Sequence, residues 1–206
     1  MNSNSKSLFA RCLKFVRRVM RKIVPPDKKK PDTAFRAEMS RAANPQTEYQ
    51  AYKHLARLGV RLDREVERRA FGLIGAAIAQ HRIGTNGNQS FGKAMRAASL
   101  MDSGELESAG ERRMERILAC SNALELIDVL RPILRFILQN EKVSLNFASL
   151  LKDIVDFGKD YESGNTIQDI KIKWAKAFYK QSFKKSEADE SDDSNNPDDS
   201  EEEEET

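Results

Sequence analysis

The chain of 206 residues is poor in the side chains that bind metals or attack substrates, with two cysteines and two histidines. Cys12 and Cys120 form no C-x-x-C pair and have no histidine nearby, so neither a zinc site nor a thiol nucleophile with its base is predicted. Both are expected to be buried or half-buried thiols. His54 and His81 lack a companion at metal-ligand spacing. His81, beside Arg82 at the end of a helical run, is expected to cap that helix as a cation, and His54 reads similarly. Long apolar runs are also missing. The stretch Phe71 to Ala79 falls well short of the roughly 20 residues needed to cross a bilayer. No secretory signal is read at the N-terminus, where Arg11, Lys14, Arg17, Arg18, Arg21 and Lys22 interrupt the apolar residues, and a cytoplasmic location is expected. There is no H-E-x-x-H and no G-x-S-x-G. Gly92-Lys93 is followed by Ala94 rather than Ser or Thr and is preceded by a helix, so residues 84–92 are expected to make turns, not a phosphate loop. No catalytic residue, cofactor or metal ligand is expected.

What the chain has in quantity is charge. Charged residues make up 33% and hydrophobic ones 39%, enough to fold with a heavily charged surface. The net charge of +3 conceals segregation: 12 of the 32 acidic residues, and none of the 35 basic ones, lie in 186–206. The body therefore carries an excess of about 15 positive charges, a field that attracts polyanions and displaces their counterions. Residues 186–206 contain no large apolar residue, cannot bury a core and are predicted to be a disordered acidic tail. The tail either solubilises the chain or mimics nucleic acid and competes for the basic body.

The apolar periodicity predicts an all-α fold, with almost no alternating β pattern. A basic amphipathic helix over 8–23 ends at Pro25-Pro26 and is followed by a linker, 25–32. Packing of this helix on a core is favoured over attachment to an acidic membrane surface. Thr33 is read as the cap of a short helix carrying Phe35, Met39 and Ala42, closed by Asn44-Pro45. Tyr49, Tyr52, Leu55 and Leu58 set the next, stopped by Gly59. A longer helix rich in small residues runs from Asp63 to the 83–88 break, and Ser90 caps another. After a break at Asp102-Ser103-Gly104 come a helix from Glu105 to Ala119 and one from Ala123 that Pro132 either kinks or restarts. One over Phe147 to Phe157 is stopped by Gly158, and a last begins at Thr166. The expected organisation is two small helical bundles, 1–102 and 105–185, with the tail 186–206.

Cations recur at three- or four-residue spacing, which places them on common helix faces. Arg36 and Arg41, Lys93 and Arg96, Arg112, Arg113 and Arg116, Arg131 and Arg135, and Lys173 and Lys176 are the candidate nucleic-acid-binding residues. Arginine forks and lysine point charges match phosphates without reading bases. The competing reading of each face is a solvated, salt-bridged surface.

The same landmarks resemble the CasB family. Phe35-Arg36-Ala37-Glu38 leads to Arg41-Ala42, then come Ala76 to Ala79 ending in His81, Ser90-Phe91-Gly92-Lys93-Ala94, Glu111-Arg112-Arg113 with Arg116-Ile117-Leu118, and Leu130-Arg131 with Leu134. Leu150 to Asp153 precedes the most distinctive piece, Lys173-Trp174-Ala175-Lys176-Ala177-Phe178-Tyr179. The resemblance covers roughly residues 33 to 180.

The resemblance implies the small subunit of a type I-E CRISPR surveillance complex, Cascade. Such a subunit has two helical bundles and cuts nothing. It pairs with a second copy of itself and contacts the backbone and large subunits around the CRISPR guide RNA. It also holds the displaced single strand of the target DNA in the R-loop. No membrane partner is implied. Lys93 stands where the family often has arginine, and the strongly basic first helix and acidic tail depart from the family pattern. The alternative readings are a free-standing helical DNA- or RNA-binding regulator and a peripheral membrane protein anchored by 8–23.

Overall fold

The computed structural model describes residues 3–26, 30–100, 106–140, 143–159 and 165–190, with side chains described between 7 and 179. The helices are α1 (Ser3–Ile23), α2 (Thr33–Ser40), α3 (Tyr52–Arg57, entered through a 3₁₀ turn over Glu48–Ala51), α4 (Glu65–His81), α5 (Phe91–Ser99), α6 (Ser108–Ala119), α7 (Ala123–Leu138), α8 (Phe147–Phe157) and α9 (Thr166–Glu190). Among the described residues β-structure is confined to single bridges, Gln89 with Leu145 and Leu100 with Leu106. The all-α expectation holds. α9 continues five residues past 185, and the rest of the expected tail, 191–206, lies outside the described residues.

Local chemistry fixes the helix ends. Asp32, not Thr33, caps α2: the Phe35 N–H donates to Asp32 Oδ1 at 2.9 Å, and Lys22 Nζ lies 3.3 Å from Oδ2. A carboxylate accepts more strongly than a hydroxyl at this position, and Lys22 on α1 holds it there. Asn122 and Asn146 cap α7 and α8 in the same way. α3 ends in a left-handed Gly59, φ 83°, with Gly59 N–H donating to Ala56 O and Val60 N–H to Leu55 O. That is the double bond of a glycine C-terminal motif. α4 ends on Arg82 at φ 52°, a left-handed residue without glycine's freedom. Pro132 does not restart a helix. α7 runs through it, because its ring faces solvent and water can serve the Asp128 carbonyl it leaves unbonded.

α4 is the centre of the molecule, in contact with α1, α2, α3, α7 and α8. Every residue from Ala70 to Ala79 is buried, and the small ones let neighbouring helices approach closely. A Cβ at Gly72 would stand 2.9 Å from the Ala42 carbonyl, and one at Gly75 would meet Met39 Sδ at 2.6 Å. α1 lies across α4 and α8, burying Cys12, Phe15, Val16 and Val19, with Phe15 edge-on to Phe71 at 4.8 Å. The first helix is thus a core helix, as its periodicity predicted.

A second seam joins α5 to α9. Gly92 allows it, since a Cβ there would stand 2.3 Å from the Trp174 carbonyl and 2.8 Å from Ala177 Cβ. Phe91 meets Trp174 with ring centroids 4.7 Å apart, and the Trp174 Nε1–H donates to Asp153 Oδ2 at 3.0 Å. The 84–90 segment does more than turn. Gly87 and Gln89 donate backbone N–H groups to Leu145 O and Ser144 O, and Asn146 N–H donates back to Gln89 O, strapping the start of α5 to the start of α8.

Besides Asp153, a second carboxylate enters this apolar interior. Glu67 is 3% exposed and accepts from the guanidinium groups of Arg11 and Arg61 and from the Arg61 backbone N–H. Burial alone would raise its pKa, but these donors win and bring it down to about 2.

Gly92→Ala should lower stability by about 1 to 3 kcal/mol in urea denaturation, because the new methyl group pushes two backbones apart. Helix propensity alone favours alanine by about 1 kcal/mol, so the sign of the effect separates the two accounts. The Glu67 carboxylate binds its proton less readily folded than unfolded, so its contribution is complete above about pH 4.5 and fades as pH falls toward about 2. We expect Glu67→Gln to remove about 2 to 3 kcal/mol at neutral pH and to flatten the acid limb of a stability-versus-pH curve.

Candidate nucleic-acid interface

The eleven candidate cations fall into two groups. Lys93, Arg112, Arg116, Arg135 and Lys176 are exposed and form no ion pair among the described residues, and Arg36 is half-buried with none. Arg41 is exposed and donates to Gln50 Oε1. The others are engaged. Arg96 Nη1 donates to Phe178 O at 3.0 Å, tying α5 to α9. Arg113 turns inward with its guanidinium 4.1 Å from the Phe136 ring centroid and Glu107 at 3.9 Å. Arg131 donates to Asp128 Oδ1 at 2.9 Å. Lys173 lies 2.6 Å from both Asp153 oxygens, on the same carboxylate as Trp174. Its charge balances a buried acid as well as facing solvent.

Two surfaces result. On the first, α5, α6 and α9 pack on one another, and Lys93, Arg112, Arg116 and Lys176 are exposed on them, beside the exposed Glu115 of α6. Arg112 and Arg116 are four residues apart and so share one face of α6. Arg112 makes only a long 3.4 Å bond to Ser108 Oγ. The second is a groove of about 480 Å³ between the ends of α2 and α4 and the side of α7, lined by Ser40, Gln80, His81, Arg131 and Arg135 among others. Asp128 is shared between Arg131 and Arg69, so it cannot neutralise both. The Arg131 Nε–H is buried without an acceptor. The groove offers donors and positive charge to an anion.

Both histidines depart from the sequence expectation. His81 does not cap α4 as a cation: burial first, then the nearby Arg135 charge, pushes its pKa below the usual 6.5 and favours the neutral ring. His54 lies in the last turn of α3, but its Nε2 is paired with Glu38 and its ring packs edge-on against Phe35, fastening α3 to α2. Cys12 is fully buried, and desolvation raises its thiol to about 12, far from a neutral-pH nucleophile. Among the described residues no three potential ligands cluster to hold a metal, and no helix is long and apolar enough to cross a membrane.

Sequence reading left one set of cations unassigned. Lys14, Arg17, Arg18 and Arg21 are all exposed on α1 and form no ion pair among the described residues.

The geometry defines a class: an all-α scaffold whose outer faces carry unneutralised cations and whose distinctive aromatic residues lie in a buried seam. Within that class the chain belongs to the family of CRISPR-associated protein Cse2, whose model matches residues 35–179. Three solved structures share the fold. A chain of a CRISPR RNA-guided surveillance complex has a TM-score of 0.62 at 17% identity, covering 88% of this chain and 99% of its own. CasB from M. ruber has 0.61 at 18%, covering 86% and 97%. CasB from Thermus thermophilus has 0.52 at 20%, covering 80% and 97%. A search of curated proteins finds no match.

The depressed His81 pKa carries a stability consequence with a definite sign. The folded chain resists protonating this ring, so its contribution is present above about pH 6.5 and is lost as pH falls below it. An NMR titration should place His81 below an unstructured histidine, and Arg135→Gln should move it upward.

Proposed function

We propose that this protein is a non-catalytic small subunit of a type I-E CRISPR RNA-guided surveillance complex, acting in the cytoplasm. It grips nucleic-acid backbone, steadies the guide RNA with its target DNA, and retains the displaced strand of the R-loop. Membership of the Cse2 family carries this reading, and the exposed cations without acidic partners on α5, α6, α7 and α9 supply the chemistry. A displaced strand has no fixed sequence, so it must be held through phosphates, which arginine forks and lysine ammonium groups can do without a shaped base pocket.

Within that reading the buried Trp174 is a structural residue, and the grip is electrostatic rather than a stack of aromatic side chains on bases. A second copy of the chain and the complex's backbone and large subunits are the proposed protein partners. The division into two bundles, 1–102 and 105–185, is proposed as the arrangement that lets one chain span two neighbouring subunits, with α1, α4 and α5 packing on α7, α8 and α9 across the division.

Arg112→Glu with Arg116→Glu, in the reconstituted complex, should leave assembly and thermal stability intact while shortening the R-loop lifetime about tenfold or more, since charge-assisted bonds contribute about 1.5 to 3 kcal/mol each. An unchanged lifetime in an assembled complex would place the strand elsewhere.

A further inference from the structure

The cations left over on α1 form a connected surface. Lys14, Arg17, Arg18 and Arg21 stand at i, i+3, i+4 and i+7, one edge of the helix spanning about 10 Å. Arg18 and Arg21 line two clefts at once. One, of about 450 Å³, also takes in Lys14 and Arg17, and the other, of about 500 Å³, reaches Arg57 on α3. The acids nearest the second cleft are already occupied. Asp32 is bound by Lys22 and the Phe35 N–H, and Glu38 by Lys53 and His54. The positive charge of Arg18, Arg21 and Arg57 is therefore uncompensated.

We propose that this α1 edge, continued by Arg57, is a second track for a single nucleic-acid strand. The idea rests on the nucleic-acid-binding reading above but uses residues outside the three-helix surface of α5, α6 and α9. Three of the four α1 cations are arginines, whose forks suit phosphate oxygens. The edge is long enough to meet more than one phosphate of the same strand. A lipid surface fits poorly, because α1 buries its large apolar residues in the core and has no apolar face left to insert. A protein partner fits poorly too, since the edge offers only Ala10 and half-buried Leu13 as apolar contacts. α1 lies outside the residues matched by the family model, 35–179.

The test uses the full-length chain and a fluorescent oligothymidylate, with affinity followed against salt concentration. Neutralising three contacts in Arg17→Gln/Arg18→Gln/Arg21→Gln should reduce the slope of log K against log salt by about 2 and weaken low-salt binding at least tenfold, with the thermal midpoint unchanged. Arg57→Gln, on a different helix, should lower the slope by about 0.7 and serves if the triple variant folds poorly. If both α1-edge variants bind like the parent while Arg112→Glu/Arg116→Glu weakens, the second track is overturned and the nucleic-acid reading stands. If all of them bind like the parent, both fail. Loss of binding to phosphatidylserine vesicles, with oligothymidylate binding unchanged, would reassign the edge to membranes and overturn the proposal.

Discussion

Close approach at α4 is the constraint on which the rest of the molecule depends. Residues Ala70 to Ala79 are buried around the whole circumference of the helix, which requires neighbours on every side. Large side chains all round would hold those neighbours too far out for one core. Gly72 and Gly75 remove that spacing where α2 approaches, bringing the Ala42 carbonyl and the Met39 side chain into the room a Cβ would occupy. With α1, α2, α7 and α8 seated on this helix, the inward faces of those helices are fixed, and so are their outward faces. The basic surface follows from a choice made in the core.

Acidic residues are distributed by the same logic. Glu67, Asp153, Glu38 and Asp128 each hold a seam: α1 to α4, α8 to α9, α2 to α3, and α7 to α4. A carboxylate shared between two cations, as Asp128 is by Arg69 and Arg131, cannot cancel both. Acids held at joints leave arginines unpaired on the exposed faces. Positive excess in the body is then a surface property and not only a composition.

The sequence carries helix positions wherever periodicity and a stop residue coincide. Phe147 to Phe157 with Gly158, and Leu55 with Gly59, are found where spacing and glycine placed them. Misreadings occurred where a distant residue decides the outcome. Asp32 displaces Thr33 as a cap with Lys22 ten residues away holding it, and His54 is held by Glu38 sixteen residues earlier. His81 loses its expected charge to Arg135, on another helix. The 84–90 segment has the composition of a turn, and only its partner strand segment at 144–146 reveals a strap. For the cations, spacing gives the face but not the partner: Lys173 and Lys176 look alike in sequence, yet only Lys173 faces Asp153.

Two of the sequence motifs that carry the family resemblance meet in space. Ser90-Phe91-Gly92-Lys93-Ala94 begins α5, and Trp174 with Phe178 lies opposite it on α9. Their distinctive residues, Phe91, Gly92, Trp174 and Phe178, are all buried, so the pattern encodes a helix crossing and not a ligand contact. A crossing at this distance tolerates few side chains: glycine under the Trp174 carbonyl and an indole whose N–H reaches Asp153. A phosphate-facing surface has no such demand, because lysine or arginine one turn away can meet the same strand. Fold similarity persisting at 17% to 20% identity fits that asymmetry. The seam must keep its residue types, while the charges it presents need keep only their sign and their face, which is why the aromatic ending is legible and the individual contacts are not.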